Sequence, residues 1–306
     1  MSKPQPKDLA ASVRQRLLNR SRDRGEDFNL VLTRYAAERW LFRLSKSRYA
    51  QQFVLKGAAL LALWMKGPYR PTRDLDLLAY GDRSVDRLER IVREVCRTPV
   101  APDGLEFDPD SVRLTDIRED QEYQGLRVQL QAILGEARIG VQIDTGFGDA
   151  VTPEPTELTY PTLLATFPAP VLRAYSRETV IAEKLEAMVR LGFPNSRMKV
   201  FYDAWILSRE FEFDGRVLSQ AIRATFGRRK TRIPESVPLA LSPEFAEDPL
   251  KGRYWSAFLD RHALSADAPV LAEVIRDLKQ FLMPLLSAIA KKEEFNKAWS
   301  PRGPWS

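Results

Sequence analysis

Gln52-Phe53-Val54-Leu55-Lys56-Gly57-Ala58-Ala59-Leu60-Leu61, and then Arg73-Asp74-Leu75-Asp76-Leu77-Leu78, set the architecture of this chain. Asp74 and Asp76 are two residues apart. On a strand, side chains at i and i+2 leave from the same face. The two carboxylates therefore point the same way and repel each other. Such a pair persists where water solvates both or where a cation sits between them. Leu75, Leu77 and Leu78 make the strand apolar around the pair, which favours the cation. Oxygen ligands select a hard ion, Mg²⁺ first and Mn²⁺ as the alternative. Mg²⁺ held by one or two carboxylates plus substrate phosphates is the usual arrangement where nucleotides are handled.

The upstream half supports the same chemistry. Residues 52–56 read as a short strand, Gly57 breaks it, and Ala58–Met65 reads as a helix. A glycine at a strand-to-helix turn lets a phosphate approach the free N–H groups of the helix start. The order is strand, glycine turn, helix, basic loop (Tyr69-Arg70-Pro71-Thr72-Arg73), then the Asp-x-Asp strand. A lone Asp-x-Asp is also what a solvated strand edge carries. Joined to a glycine turn at this spacing, it predicts a nucleotidyl-transfer site with a nucleoside triphosphate as substrate.

Composition narrows the alternatives. The chain has 306 residues, 44% of them hydrophobic, with 47 Lys plus Arg against 41 Asp plus Glu. A net charge of +6 is compatible with a nucleic-acid partner without requiring one. Cys96 is the single cysteine and His262 the single histidine. This excludes an intrachain disulfide, and argues against a thiolate zinc site, a Ser-His triad and a His-pair metal site. The first residues lack the apolar run of a signal peptide, and no apolar stretch approaches the length that spans a bilayer. The expectation is a cytoplasmic protein with no membrane partner.

Hydropathy periods place the remaining elements. Residues 1–6 fit no element. Residues 7–48 predict two helices that buttress a sheet, and 84–97 an amphipathic helix with Val85, Leu88, Ile91, Val92 and Val95 on one face. Strands are expected within 110–145, with clear alternation from Leu126 and from Arg138 onward. Five prolines between 150 and 170 predict a stiff linker, and the chain beyond 176 reads as almost wholly helical. The predicted fold is α+β: a mixed sheet flanked by helices over residues 1–155, then a mainly helical domain over 156–306.

Several residues carry candidate roles. Asp144 ends its strand just before Thr145-Gly146, where a carboxylate serves as a third metal ligand, as a base for an attacking hydroxyl, or as a plain turn residue. Asp149 reads as a turn or cap residue. Val180, Ala187 and Leu191 put Lys184 on a partly apolar helix face; it either snorkels outward or reaches a phosphate. Asp203 has a similar setting, and the two are candidates to pair or to bind substrate. Lys199, four residues before Asp203, is another candidate partner for it. Lys56, Arg70 and Arg73 either neutralise triphosphate charge or serve as counter-ions to Asp74 and Asp76. Arg197 is a candidate phosphate contact. Thr72 lies two residues before Asp74, so a phosphate added there sets negative charge against the aspartates and is expected to inactivate the site. Arg223, Arg228, Arg229, Lys230 and Arg232 form the densest basic run, either a polyanion contact or a solvated loop.

Leu55-Lys56-Gly57-Ala58-Ala59-Leu60 followed by Arg70-Pro71-Thr72-Arg73-Asp74-Leu75-Asp76 resembles the AbiEii/AbiGii toxin family, nucleotidyltransferases of the DNA polymerase β superfamily that include MenT-type toxins. Val141–Asp149 is similar to the family's third acidic strand. Glu183–Met188 and Arg197–Trp205 are similar to its helical motifs. The resemblance spans roughly residues 50–210 and implies a polymerase-β-like core. It implies Asp74, Asp76 and Asp144 as metal ligands, with Lys184 and Asp203 added as catalytic residues. Lys56, Gly57, Ala58, Arg70, Thr72, Lys184 and Arg197 form the expected nucleotide-binding set. It further implies a toxin paired with an AbiEi-like or kinase-like antitoxin, adding nucleotides to an RNA such as the tRNA 3′ end and so blocking aminoacylation. The chain departs from the family in two places. Gly57-Ala58 replaces the common Gly-Gly or Gly-Ser, removing any hydroxyl there, and Lys199-Val200 replaces Lys-Asp. Two other readings stay open: nucleotidyl transfer to a small hydroxylated molecule or a protein, and a non-catalytic nucleotide-binding module.

Overall fold

The computed structural model describes residues 8–65, 70, 72–120, 123–264 and 268–306. Residues 1–6, and Tyr69 and Pro71 of the basic loop, lie outside them. The chain divides into two compact units. One comprises residues up to 148 together with 156–174, and the other comprises 149–155 and 175–306.

The first unit opens with helices α1 (Leu9–Arg24) and α2 (Phe28–Lys46). Asp8 and Asp27 cap their N-termini by accepting the Ala11 and Leu30 N–H groups. Strand β1 (Phe53–Lys56) runs into a 3-10 turn over Gly57–Leu60 and one α-turn, α3 (Leu61–Trp64). The continuous helix expected over 58–65 is thus shortened, because Gly57 turns with φ +71° into tight 3-10 geometry. Then come β2 (Asp74–Ala79), α4 (Val85–Cys96), β3 (Glu106–Asp120), β4 (Tyr123–Leu134), β5 (Ala137–Phe147), β6 (Thr156–Thr159) and β7 (Val171–Ala174). Among the described residues these make one seven-stranded sheet in the order β3-β4-β5-β2-β1-β7-β6. The β2–β5 and β1–β7 pairs are parallel and the rest antiparallel. This is the mixed sheet flanked by helices expected of an α+β fold.

The proline-rich segment is not only a linker, since it contributes β6 and β7 to this sheet. Its prolines fall where no ladder N–H is needed: Pro155 precedes β6, Pro161 follows it, and Pro168 and Pro170 precede β7.

Alternation along β4 and β5 sorts the sheet into two faces. Leu126, Val128, Leu130, Ile139, Val141 and Ile143 are buried on the side covered by α2 and α4. Each fully buried aliphatic side chain contributes about 1.5–3 kcal/mol. The Cys96 thiol lies within this core, and burial pushes its pKa up to about 11. It is a packing residue. The other face carries Asp74, Asp76, Gln142, Asp144, Arg127 and Gln129.

The second unit is helical: α5 (Arg177–Leu191), α6 (Met198–Glu210), α7 (Gly215–Arg228), α8 (Pro243–Glu247), α9 (Pro249–Arg261) and α10 (Leu271–Ala290). A small antiparallel pair, β8 (Phe213–Asp214) with β9 (Ala298–Trp299), ties down the chain end. Trp299 and Trp305 pack on Phe281 of α10. Among the described residues no helix is long and apolar enough to cross a membrane.

Glu38 of α2 is buried, pairs with Arg39 at 2.7 Å and accepts the Leu163 N–H at 2.6 Å. Burial raises its carboxyl to about 6, against the opposing pull of Arg39 and that N–H. The folded state therefore holds this proton more tightly than the unfolded chain. The resulting stability is complete below about pH 4.5 and is lost as pH rises through about 6. Urea unfolding across that range should show wild type losing about 2 kcal/mol relative to Glu38→Gln, which lacks the titration. A pH-independent difference between the two would refute this.

Candidate active site

The site begins with a close approach. A Cβ added at Gly57 would lie 2.0 Å from Asp76 Oδ2 and 2.7 Å from Asp76 Cβ. No side chain fits there, and φ +71° also disfavours one. The glycine turn and the second aspartate therefore share one spot. Ala58, buried behind the turn, offers only its backbone.

Strand register builds the rest. Lys56 is the register partner of Asp76, Asp76 of Asp144, and Asp144 of Arg127. Register partners share a face, so four charged side chains form one row across β1, β2, β5 and β4, in the order plus, minus, minus, plus. The strands are about 4.8 Å apart, so Asp76 and Asp144 are near enough to repel, and the outer cations offset that repulsion. Arg127 grips Asp144 through both oxygens, Nε to Oδ1 at 2.8 Å and Nη2 to Oδ2 at 2.7 Å. A second row runs alongside, in the order Asp74, Gln142, Gln129, Arg113. It lines an open cavity of about 450 Å³ that also takes in Arg73 and Gln131.

Asp74 and Asp76 are half-buried on one face of β2, as the i, i+2 spacing predicts. Thr72 Oγ1 donates to the Asp74 carbonyl at 3.1 Å, and Arg70 is buried. Among the described residues no three carboxylate, imidazole or thiol groups converge as one metal-ligand cluster. Asp144 stands in register with Asp76, with both its oxygens on Arg127. The donor chemistry of Asp74 and Asp76 fits a hard cation.

In the second unit, Lys184 of α5 donates to Asp203 Oδ2 of α6 at 2.7 Å. Asp203 is 1% exposed and Lys184 16%. Asp203 therefore takes its partner from the neighbouring helix, and Lys199 is exposed instead. Arg197 caps α6, its N–H donating to Asn195 Oδ1 at 2.9 Å.

Sequence reasoning missed a second buried network in this unit. Arg229 pairs with Glu186 at 2.7 Å, Glu183 at 3.0 Å and Asp149 at 3.3 Å. Thr231 Oγ1 donates to Glu186 Oε1 at 2.7 Å, and Tyr175 OH donates to Asp149 Oδ2 at 3.3 Å. Asp149 is thus a buried ion-pair residue rather than a simple turn residue, and Arg229 leaves the basic run for the interior. The i, i+3 spacing of Glu183 and Glu186 around Lys184 was the available signal. Arg127 was likewise legible, from the alternation that puts it beside Gln129 and Gln131.

The family described as "Nucleotidyl transferase AbiEii toxin, Type IV TA system" matches residues 39–282. No curated protein sequence matches the chain. Among solved structures, the chain is similar to JHP933 from Helicobacter pylori, with 16% identity and a TM-score of 0.48 over 85% of this chain and 94% of that one. It is also similar to a chain from H. pylori described as a candidate nucleotidyltransferase, with 17% identity and a TM-score of 0.47 over 86% and 99% of the two.

Glu186 and Asp149 are buried, so removing Arg229 withdraws a cation from Asp149 and leaves Glu186 to Arg190 at 3.2 Å. Arg229→Met is expected to cost about 3–5 kcal/mol, read by chemical denaturation. Arg232→Met, in an exposed pair with Glu235, should cost under about 1 kcal/mol. Equal costs for the two would contradict a structural role for Arg229.

Proposed function

The chain belongs to the AbiEii nucleotidyl transferase toxin family, and from that premise we propose that it transfers a nucleoside monophosphate from a triphosphate to an RNA hydroxyl, the 3′ end of tRNA. As a type IV toxin it is held in check by a cognate antitoxin. One observation carries the reading: the contact between the Gly57 turn and the Asp76 carboxylate, which brings phosphate-binding backbone and metal-type oxygens together.

Asp74 and Asp76 would hold Mg²⁺. Bound there, it would neutralise triphosphate charge and polarise the α-phosphate. Gly57 exposes its own N–H and those of Ala58 and Ala59 to the phosphates. Lys56, Arg70 and Thr72 complete the phosphate side. The acceptor oxygen bonds to the α-phosphorus, the bond from that phosphorus to the β-bridging oxygen breaks, and pyrophosphate leaves. The hydroxyl proton passes to Asp144, for which Arg127 yields one of its two hydrogen bonds. Within the helical unit, Lys184, paired with Asp203, and Arg197 keep the phosphate-contact role that the family resemblance implies. Capping the tRNA 3′ end would stop aminoacylation and translation.

Purified protein is incubated with total tRNA, Mg²⁺ and each α-labelled triphosphate in turn. Label is expected in tRNA with at least one triphosphate, and none with Asp74→Ala/Asp76→Ala. Label in a small-molecule or protein fraction alone would replace the RNA acceptor. Gly57→Ala keeps every carboxylate but must push Asp76 aside. It should lose about a hundredfold in transfer, the scale of a 1 Å misplacement, and wild-type rates in that variant would sink the role given to the turn.

A further inference from the structure

The second unit carries a groove that neither the transfer site nor the predicted basic run accounts for. It lies between the start of α6 and an outward stripe of α9, with a volume of about 410 Å³. On α9, Tyr254, Phe258 and Arg261 fall at i, i+4 and i+7 on one face, and His262 follows at the helix end. Arg197 and Lys199 face them from α6. Among the described residues no carboxylate lines the groove.

The aromatic side is built rather than incidental. The Phe258 ring is 4.9 Å from His262, 5.6 Å from Tyr202 and 5.8 Å from Trp255, centroid to centroid. It is held as a fixed platform, while Tyr254 remains 38% exposed. Lys251 is buried beneath. Its Nζ lies 5.8 Å from the Tyr254 ring and donates to the Asn195 carbonyl at 3.1 Å, bracing the loop that presents Arg197.

We propose that this groove binds a single-stranded stretch of nucleic acid, the acceptor RNA, with Lys199 and Arg261 on its phosphates and Tyr254, Phe258 and His262 against its bases. Cations alone would suit any polyanion. Cations interleaved with fixed aromatic faces suit unstacked bases, which a duplex does not present to side chains. The run at 223–232 is the weaker candidate, because Arg229 is committed to Glu186, Arg232 to Glu235, and Arg223 to the Glu293 carbonyl. The choice of RNA over DNA rests on the proposed function, and the groove itself does not.

The test is fluorescence anisotropy of a labelled single-stranded RNA against the full chain without any triphosphate, across a salt series. Lys199→Gln/Arg261→Gln should weaken binding about tenfold or more. It should flatten the slope of log affinity against log salt by roughly 0.7 per lost phosphate contact. Tyr254→Ala should weaken binding roughly fivefold or more with little change in slope, as loss of one stacked base predicts. Lys279→Gln/Lys291→Gln removes the same charge from exposed positions elsewhere and should bind nearly as wild type. Circular dichroism and thermal unfolding confirm that each variant is folded. Unchanged affinity in both groove variants, or an equal loss in the control, would overturn the proposal. So would loss of polyglutamate binding with RNA affinity intact, which would assign the groove to an acidic protein. Wild type that binds RNA through the groove but transfers nothing would sink the proposed function and leave the groove standing.

Discussion

A methyl group does not fit between residue 57 and Asp76, and the site depends on that exclusion. Because the backbone of Gly57 touches the Asp76 carboxylate, the chain must turn with positive φ immediately after β1. That turn leads directly into the 3-10 geometry of residues 57–60. The antiparallel β1–β2 pairing fixes the approach, since Lys56 and Asp76 are register partners. One residue of slip on either strand would carry its polar side chain to the apolar face. The buried Leu55, Leu75 and Leu77 oppose that slip. Core packing thereby sets the position of the polar groups.

The sheet also handles the electrostatic difficulty that the site creates. Two aspartates on adjacent parallel strands would destabilise a folded chain if left uncompensated. The row across four strands flanks them with Lys56 and Arg127, at positions dictated by pairing. The bidentate grip of Arg127 on Asp144 orients that carboxylate. A polar sheet face with cations at its rim is suited to a triphosphate, which brings negative charge of its own.

Local patterns were well represented in the sequence. The i, i+2 aspartates, the glycine break, the alternation of β4 and β5 and the amphipathic α4 all obey rules that operate within a few residues. The short 3-10 turn after Gly57 was not legible, because an apolar run reads the same for a 3-10 turn and an α-helix. The strands β6 and β7 were hidden by prolines whose positions at strand ends become meaningful only once the pairing is known. The Arg127–Asp144 and Lys184–Asp203 pairs join residues 17 and 19 apart, and Arg229 reaches Asp149 from 80 residues away. Such partners are set by tertiary packing, and composition along the chain does not encode them.

Charge runs mislead for the same reason. Arg223 to Arg232 looks like one basic surface, yet its central arginine neutralises three carboxylates, two of them nearly inaccessible to water. A cation spent on a buried carboxylate contributes nothing to binding a polyanion, because its field is already compensated. What counts for a ligand is the charge that faces solvent without an acidic neighbour. Lys199 and Arg261, far apart in sequence and unremarkable in composition, line a groove with no carboxylate among its described lining residues, which is why the proposed RNA contact is placed there rather than on the dense run. The aromatic rings packed beside them turn a charged patch into a groove with a base-sized floor.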